Sequence, residues 1–328
     1  MTVSASAPDG VPEVGAGDDL VDLLLTALEA DATVPALAGG DVVVVTSKVV
    51  SKAEGRVVAG SREEHLAAET VRVVARRGPT SIVRTRHGLT MAAAGIDASN
   101  VALGSAVLLP LDPDASARRL RTTLLGRTGR NVGVVVTDTA GRAWREGQTD
   151  IAVGAAGLVV AEDFAGRVDA HGNELAVTAP AVADEIAGLA ELASGKLGGR
   201  PFVVVRGRAD LVLAPDDDGP GAVALVRAEG GDLFGYGARE VVVRAVRGAA
   251  ADRTPFGSPV SAEDLAALLD GVLPGPSPAA RVIDPTLVTC DADGPDRVAR
   301  VEIVAFAHGW TAVASHGSRD LLIRPATP

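Results

Sequence analysis

The chain has 328 residues, a net charge of -11, 47% hydrophobic residues and only 2% aromatic ones. That length can bury a large core and suits about two domains, while the acidic balance speaks against a nucleic-acid coat or an anionic membrane partner. No charge-poor apolar run reaches membrane-spanning length, and the opening MTVSASAPDG lacks a basic segment followed by an apolar one, so a cytoplasmic protein is expected. One cysteine, Cys290, excludes an internal disulfide. The five histidines, His65, His87, His171, His308 and His316, show no ligand spacing, which speaks against zinc.

In chain order, the first periodic segment is Leu20 to Ala30, a predicted helix with an acidic first turn after Asp18 and Asp19. Val42 to Val45 form a continuous apolar run, the pattern of a strand covered on both faces. Thr46, Ser47, Lys48, Ser51 and Lys52 follow directly. Hydroxyls and lysines at the end of a buried strand suit phosphate; the alternative is an exposed turn with ordinary surface lysines. Neither GxxxxGK[ST] nor GxGxxG occurs near it, so neither a P-loop nor a dinucleotide fold is supported. Ser61 to Arg77 reads as a helix with a mixed face. Asp97, followed by small residues, suits an accessible carboxylate or an Asx-turn before Asn100. Asp112 to Ser116 read as a turn and N-cap, and Ala117 to Leu125 as a helix with a basic face.

The chemistry concentrates in NVGVVVTDTAGRAWREGQTDIAVGAAG, residues 131–157. An apolar β-branched run turns abruptly polar, delivering Asp138 and Thr139, hard oxygen ligands for Mg²⁺ or Mn²⁺. Arg142 and Arg145 follow, and arginine forks match phosphate or carboxylate oxygens, which makes them candidates for holding acidic substrates. A strand with a solvated loop is the bland reading, weakened by the size of the cluster. Downstream, Glu174 to Thr178 suit a strand, and Pro180 to Ala193 a helix with a glycine C-cap at Gly195 beside Lys196. Pro201 to Val205 suit a third covered strand, delivering Arg206. Three apolar strands thus end in polar clusters, at Ser47, Asp138 and Arg206, and ligands gather at strand ends in layered α/β folds. Asp216 to Ala222 reads as a flexible loop. In the tail, Arg239 to Arg253 are basic, Ser261 to Leu273 predict an amphipathic helix, and Pro274 to Ala280 a linker. Val301 to His308 with Trp310 to Ser315 suit a hairpin turning at Gly309, and Leu321 to Arg324 a last strand.

Taken in order, VPEV, DVVVVTSKVVSK, AAAGIDASN, VVVTDTAGRAWREGQTDIAVGAAG, GNELAVTAPAVADEIAGLAELASGK and PFVVVRG resemble the coenzyme F420-0:gamma-glutamyl ligase family, over Val11 to Tyr236. The resemblance implies an α/β fold of mixed type in residues 1–245, with a small α+β extension in 246–328. It implies GTP-dependent ligation of L-glutamate to coenzyme F420-0, forming GDP and passing through an acyl phosphate, with γ-linked glutamates to follow. Carried across by motif, Val11, Pro12, Glu13, Val14, Ser47, Lys52 and Asn100 match GTP-binding positions, and Asp97, Asp138 and Thr139 match the positions holding Mg²⁺ or Mn²⁺, with K⁺ alongside. Lys196 stands where archaeal members carry a glutamine, which would alter one metal site. The resemblance also implies a homodimer, and neither nucleic acid nor membrane as partner. Bacterial members continue into an FMN-binding, nitroreductase-like domain, whose opening residues 246–280 resemble; a shortened remnant or an interaction element is expected here. Two further readings stand beside this one: a non-catalytic scaffold, and a related ligase for another acid acceptor. Intact Asp97, Asp138 and Thr139 weigh against the scaffold.

Overall fold

Four valines in succession cannot alternate between water and core, so a strand made of them needs cover on both faces. In the computed structural model, which describes residues 1–273, 275, 278–314 and 319–326, they lie in the strand Val42–Thr46 at the centre of a five-stranded sheet. Gly133–Gly141 runs parallel on one side and Phe202–Arg206 antiparallel on the other. Gln148–Ala156 and Ser4–Ser6 form the edges. Side-chain alternation sends Val43, Val45, Val134 and Val136 into one core, with Leu20, Val21 and Leu24 of the helix Leu20–Ala30 and Leu124 of the helix Pro113–Thr128. Val42, Val44, Val135 and Val203 enter the opposite core, against Val182, Ala183 and Ile186 of the helix Val182–Ser194. The result is a mixed α/β fold, as the resemblance implies, with helices on both faces of the sheet. Among the described residues no helix is long and apolar enough to cross a membrane.

Several local expectations are corrected. The helix read over Ser61 to Arg77 ends at Glu69, after starting in a capping box between Ser61 and Glu64. Thr70–Arg77 is instead a strand paired with Thr80–Thr85, because Thr70, Val71, Val73 and Val74 are β-branched and favour extended backbone. The basic helix begins earlier than read, at Pro113, since Asp112 accepts a 2.8 Å bond from the Ala115 N–H and proline fits a first turn. The strand expected over Glu174 to Thr178 shrinks to Glu174–Leu175. The loop Asp216 to Ala222 is held rather than free. The buried Arg121 donates to the Asp218 carboxylate at 2.7 Å and to the carbonyls of Asp217, Ala214 and Val132.

Contacts divide the chain into residues 1–226 and 227–328, so the sequence boundary at 245 falls inside the second unit. That second unit builds its own core. An antiparallel sheet, ordered Ala280–Asp284, Leu287–Asp291, Asp320–Pro325, Trp310–Ala314, packs Val288, Ile323 and Trp310 against Leu265 and Leu269 of the helix Ala262–Val272 and Val301 of the helix Pro295–Ala307. The hairpin expected from Val301 is therefore absent: Val301 to Ala307 close a helix that Pro295 opens, with Val301 and Ala305 one turn apart on its buried face. Ser315 and His316, and Pro274, Pro276 and Ser277 of the expected linker, lie outside the described residues.

Arg121 supplies a stability test. Its removal leaves the Asp218 carboxylate and several carbonyls without their donor, so Arg121→Ala should lower the unfolding free energy by about 3–5 kcal/mol in denaturant titrations. Arg130→Ala, exposed just beyond the helix that carries Arg121, should stay within about 0.5 kcal/mol.

Candidate functional site

The parallel register sets Thr46 opposite Thr137, so the next residues on each strand, Ser47 and Asp138, emerge side by side. The Ser47 hydroxyl donates to Asp138 Oδ1 at 3.1 Å. After Thr46 the chain turns into the helix Ser47–Ala53, which carries Ser47, Lys48, Ser51 and Lys52 past the strand end. Lys52 is buried; its ammonium donates to the Asn100 carbonyl at 2.8 Å and pairs with the Glu13 carboxylate. Asn100 holds that carbonyl with a left-handed φ of 55°, a conformation asparagine tolerates. Lys48 reaches Asp97 Oδ2 at 2.6 Å and Ser99 Oγ at 2.8 Å. The Asx-turn weighed for Asp97 is present, through the Ser99 N–H at 2.7 Å, and coexists with the ion pair.

Across the hairpin, Thr139 faces Asp150 in register. The hydroxyls of Thr137 and Thr139 donate to the two Asp150 carboxylate oxygens at 3.1 and 2.7 Å. Glu191 accepts from the Asp150 N–H at 3.1 Å, and Lys196 donates to Thr139 Oγ1 at 2.9 Å while standing 3.8 Å from Glu191. Acids and lysines thus interleave around the end of two strands.

The electrostatics follow from that crowding. Asp138 keeps some surface, yet the protein packed around its carboxylate raises its pKa to about 7; the charges of Asp150 and Asp97 add to the rise, and the bonds from Ser47 and the Thr139 N–H oppose it. Burial pulls Asp97 upward too, but the Lys48 ammonium and the Ser99 donors outweigh it and hold the carboxyl below its usual range. A carboxylate this poorly compensated gains from a nearby cation. Among the described residues no group of three or more His, Cys, Asp or Glu forms a ready cage. Mg²⁺ and Mn²⁺ do not need one, since they take one or two carboxylates and fill the remaining positions with water and phosphate oxygens. Asp138, Asp97, Asp150 and Thr139 offer hard oxygens of the kind those ions take.

Of the residues singled out from sequence, Glu13, Lys52 and Asn100 share one set of contacts, Ser47 and Asp138 a second, Thr139 and Lys196 a third, and Asp97 pairs with Lys48. Val14 is buried and Val11 packs on the core beside it, which positions Glu13; Pro12 is exposed between them. Arg142 and Arg145 sit apart, exposed on the hairpin turn; Arg142 donates to the Glu146 carbonyl at 3.0 Å. Arg142 lies four residue steps from Asp138, just past the strand's end, at about 3.3 Å for each strand step. Arg206 does not join the cluster. Its strand runs antiparallel to Val42–Thr46, pairing Val205 with Val42, so Arg206 emerges at the opposite end of the sheet and clamps Asp41 through two 2.7 Å bonds. The sequence marks Lys48 only as one of several groups suiting phosphate, without its pairing to Asp97, and singles out neither Asp150 nor Glu191. Asp150 was legible in part, because two strands joined by a short turn bring such a residue back beside Thr139; Glu191 sits on a helix whose docking no local pattern gives.

The F420-0:gamma-glutamyl ligase family model matches residues 10–70 and 62–207. The chain belongs to that family. It is similar to the coenzyme F420:L-glutamate ligase of Archaeoglobus fulgidus, with 41% identity over 227 residues, 63% of this chain and 88% of the relative. The enzyme of that name from Methanothermobacter thermautotrophicus is 39% identical over 229 residues, 63% of this chain and 90% of the relative. That from Halobacterium salinarum is 41% identical over 255 residues, 70% and 94% of the two chains. The family match takes in every residue of the cluster from Glu13 to Lys196.

The raised pKa of Asp138 gives a signed pH test. Folding favours the neutral carboxyl, so in chelator-treated protein its stabilisation is complete below about pH 4 and is lost as pH rises through about 7. Between those limits the parent should lose about 2–4 kcal/mol of unfolding free energy relative to Asp138→Asn, the full value being reduced by residual solvent access. Equal pH profiles for the two proteins in urea titrations would refute the assignment.

Proposed function

We propose that the chain ligates L-glutamate to coenzyme F420-0 at the expense of GTP, in the cytoplasm and as a homodimer, and extends the product through γ-linked glutamates. The observation that carries the reading is the convergence of Asp97, Asp138 and Asp150 with Lys48 and Lys52 at the end of the two parallel strands, in a chain whose relatives bear the name of that ligase. Acids and lysines gathered in this way suit a nucleotide triphosphate brought with its cation, and not an amide formed without activation.

In the proposed sequence the acceptor carboxylate attacks the γ-phosphorus; an O–P bond forms as the bond to GDP breaks, giving an acyl phosphate. The glutamate amine then attacks the acyl carbon, the C–N bond forms, phosphate leaves and the nitrogen loses its proton. Lys52, desolvated and oriented by the Asn100 carbonyl, places a fixed positive charge where phosphate oxygens would lie. Lys48 does the same beside Asp97. Asp97, Asp138, Thr139 and Asp150 would hold Mg²⁺ or Mn²⁺, which neutralises charge on the transferred phosphoryl group. Ser47 fixes the orientation of Asp138, and Thr137 and Thr139 that of Asp150. Arg142 and Arg145, out on the turn, are assigned to the outer, acidic part of the acceptor. His65 and His87 bond to the Ala59 and Pro110 carbonyls and have no part in the sequence.

The test is mass spectrometry of purified protein incubated with coenzyme F420-0, L-glutamate, GTP and Mn²⁺. The parent should give glutamylated product and GDP; Asp138→Ala should lower the rate at least about 100-fold. Arg142→Ala and Arg145→Ala should raise KM for the acceptor and leave KM for GTP unchanged. No product with GTP still bound would assign the chain to another acid acceptor, and no GTP binding would leave the scaffold reading.

A further inference from the structure

The second unit lies beyond residue 207, where the family match ends. It holds a cavity of about 480 Å³ between the helix Glu240–Arg247, the helix Pro295–Ala307 and the strand Trp310–Ala314. That volume is in the range of small organic ligands. Val246, Ile303, Phe306 and Ala312 give the lining an apolar wall, and Arg247, Arg253 and Glu302 bring its charges.

Arg253 is the unusual member. Its guanidinium donates to the Trp310 carbonyl at 3.2 Å and to Thr311 Oγ1 at 3.1 Å, and lies 4.3 Å over the Phe306 ring. Those partners are neutral. Among the described residues no carboxylate pairs with Arg253; the adjacent Asp252 is taken by Arg244 at 2.8 Å and by Arg247. Burial accordingly pulls Arg253 below its ordinary pKa, with no opposing charge to restore it. A half-buried cation at a cavity, compensated only by a ring and two neutral oxygens, is poorly satisfied. The guanidinium has five N–H groups, and two are spent. Glu302 in the same lining disfavours small, highly charged ions, so an anion needs an apolar body to contribute to its binding.

We propose that the second unit binds an organic anion, its carboxylate or phosphate-ester head on Arg253 and its apolar body against Val246, Ile303 and Phe306. The cavity and the uncompensated guanidinium together carry this, independently of the ligase reading. The experiment uses the full chain carrying Trp144→Phe, which leaves Trp310, buried in the lining, as the sole tryptophan. Phenyl phosphate is the probe, and Trp310 fluorescence and calorimetry are the readouts. Saturable binding is expected below about 10 mM, with inorganic phosphate and benzyl alcohol each at least about tenfold weaker. Arg253→Gln should weaken phenyl phosphate at least about tenfold. Because Arg253 also braces the Trp310 strand, Val246→Glu, an exposed wall position, serves as a second variant that places an acid in the cavity and should weaken the probe similarly. Benzoate in place of phenyl phosphate tells a carboxylate head from a phosphate one. Absence of saturable binding, or undiminished binding in either folded variant, overturns the proposal.

Discussion

Two valine-rich strands lying parallel at the middle of the sheet, Val42–Thr46 beside Gly133–Gly141, fix where the rest of the first unit can go. Buried on both faces, they cannot slip by a single residue, because a slip would exchange the valines facing one helical layer for those facing the other. The register that packing enforces is the one that sets Ser47 beside Asp138. Parallel pairing also gives both strands a common end, and a common end is where the turn into Ser47–Ala53 and the hairpin carrying Asp150 both begin to expose polar groups. Position in the site is thus a consequence of how the core is filled.

That arrangement concentrates negative charge at the price of stability. Asp138 accepts a hydroxyl bond from Ser47 yet stays under-compensated, while Asp97 has the Lys48 ammonium at 2.6 Å. Neighbouring carboxylates thus titrate on opposite sides of their usual range, set apart by environment alone. Lys52 and Lys196 bracket the cluster, one buried and tied to Asn100 and Glu13, the other exposed and tied to Thr139. Under the proposed function these lysines would meet phosphate oxygens of the nucleotide.

How far the sequence reached depended on the range of the interaction. The helix Leu20–Ala30, the covered valine strands and the Gly195 cap depend on neighbours in sequence, and each was legible. Thr70 to Arg77 was misread because a preceding capped helix ran straight into β-branched residues with no glycine or proline between them. Val301 to Ala307 was misread because a short apolar run fits either period until its packing is known. Arg206 failed for a topological reason: an apolar strand shows its own ends but not its direction in the sheet, and this one runs the other way. The acids Asp97 and Asp138, separated widely in sequence, were placed together by motif resemblance, while the pairing of Lys48 with Asp97 depends on the turn of a helix past a strand end.

The acids at the shared strand end are proposed to hold a divalent cation together with a nucleotide. The most direct test is electron paramagnetic resonance of Mn²⁺ titrated with the protein in the presence and absence of GTP. Adding protein to Mn²⁺ and GTP should lower the free Mn²⁺ signal steeply beyond the fall that GTP alone causes, and Asp138→Asn and Lys52→Met should each abolish most of that further fall. Retention of the bound Mn²⁺ signal by both variants, at the parent's affinity, would contradict the account and place the nucleotide elsewhere on the molecule.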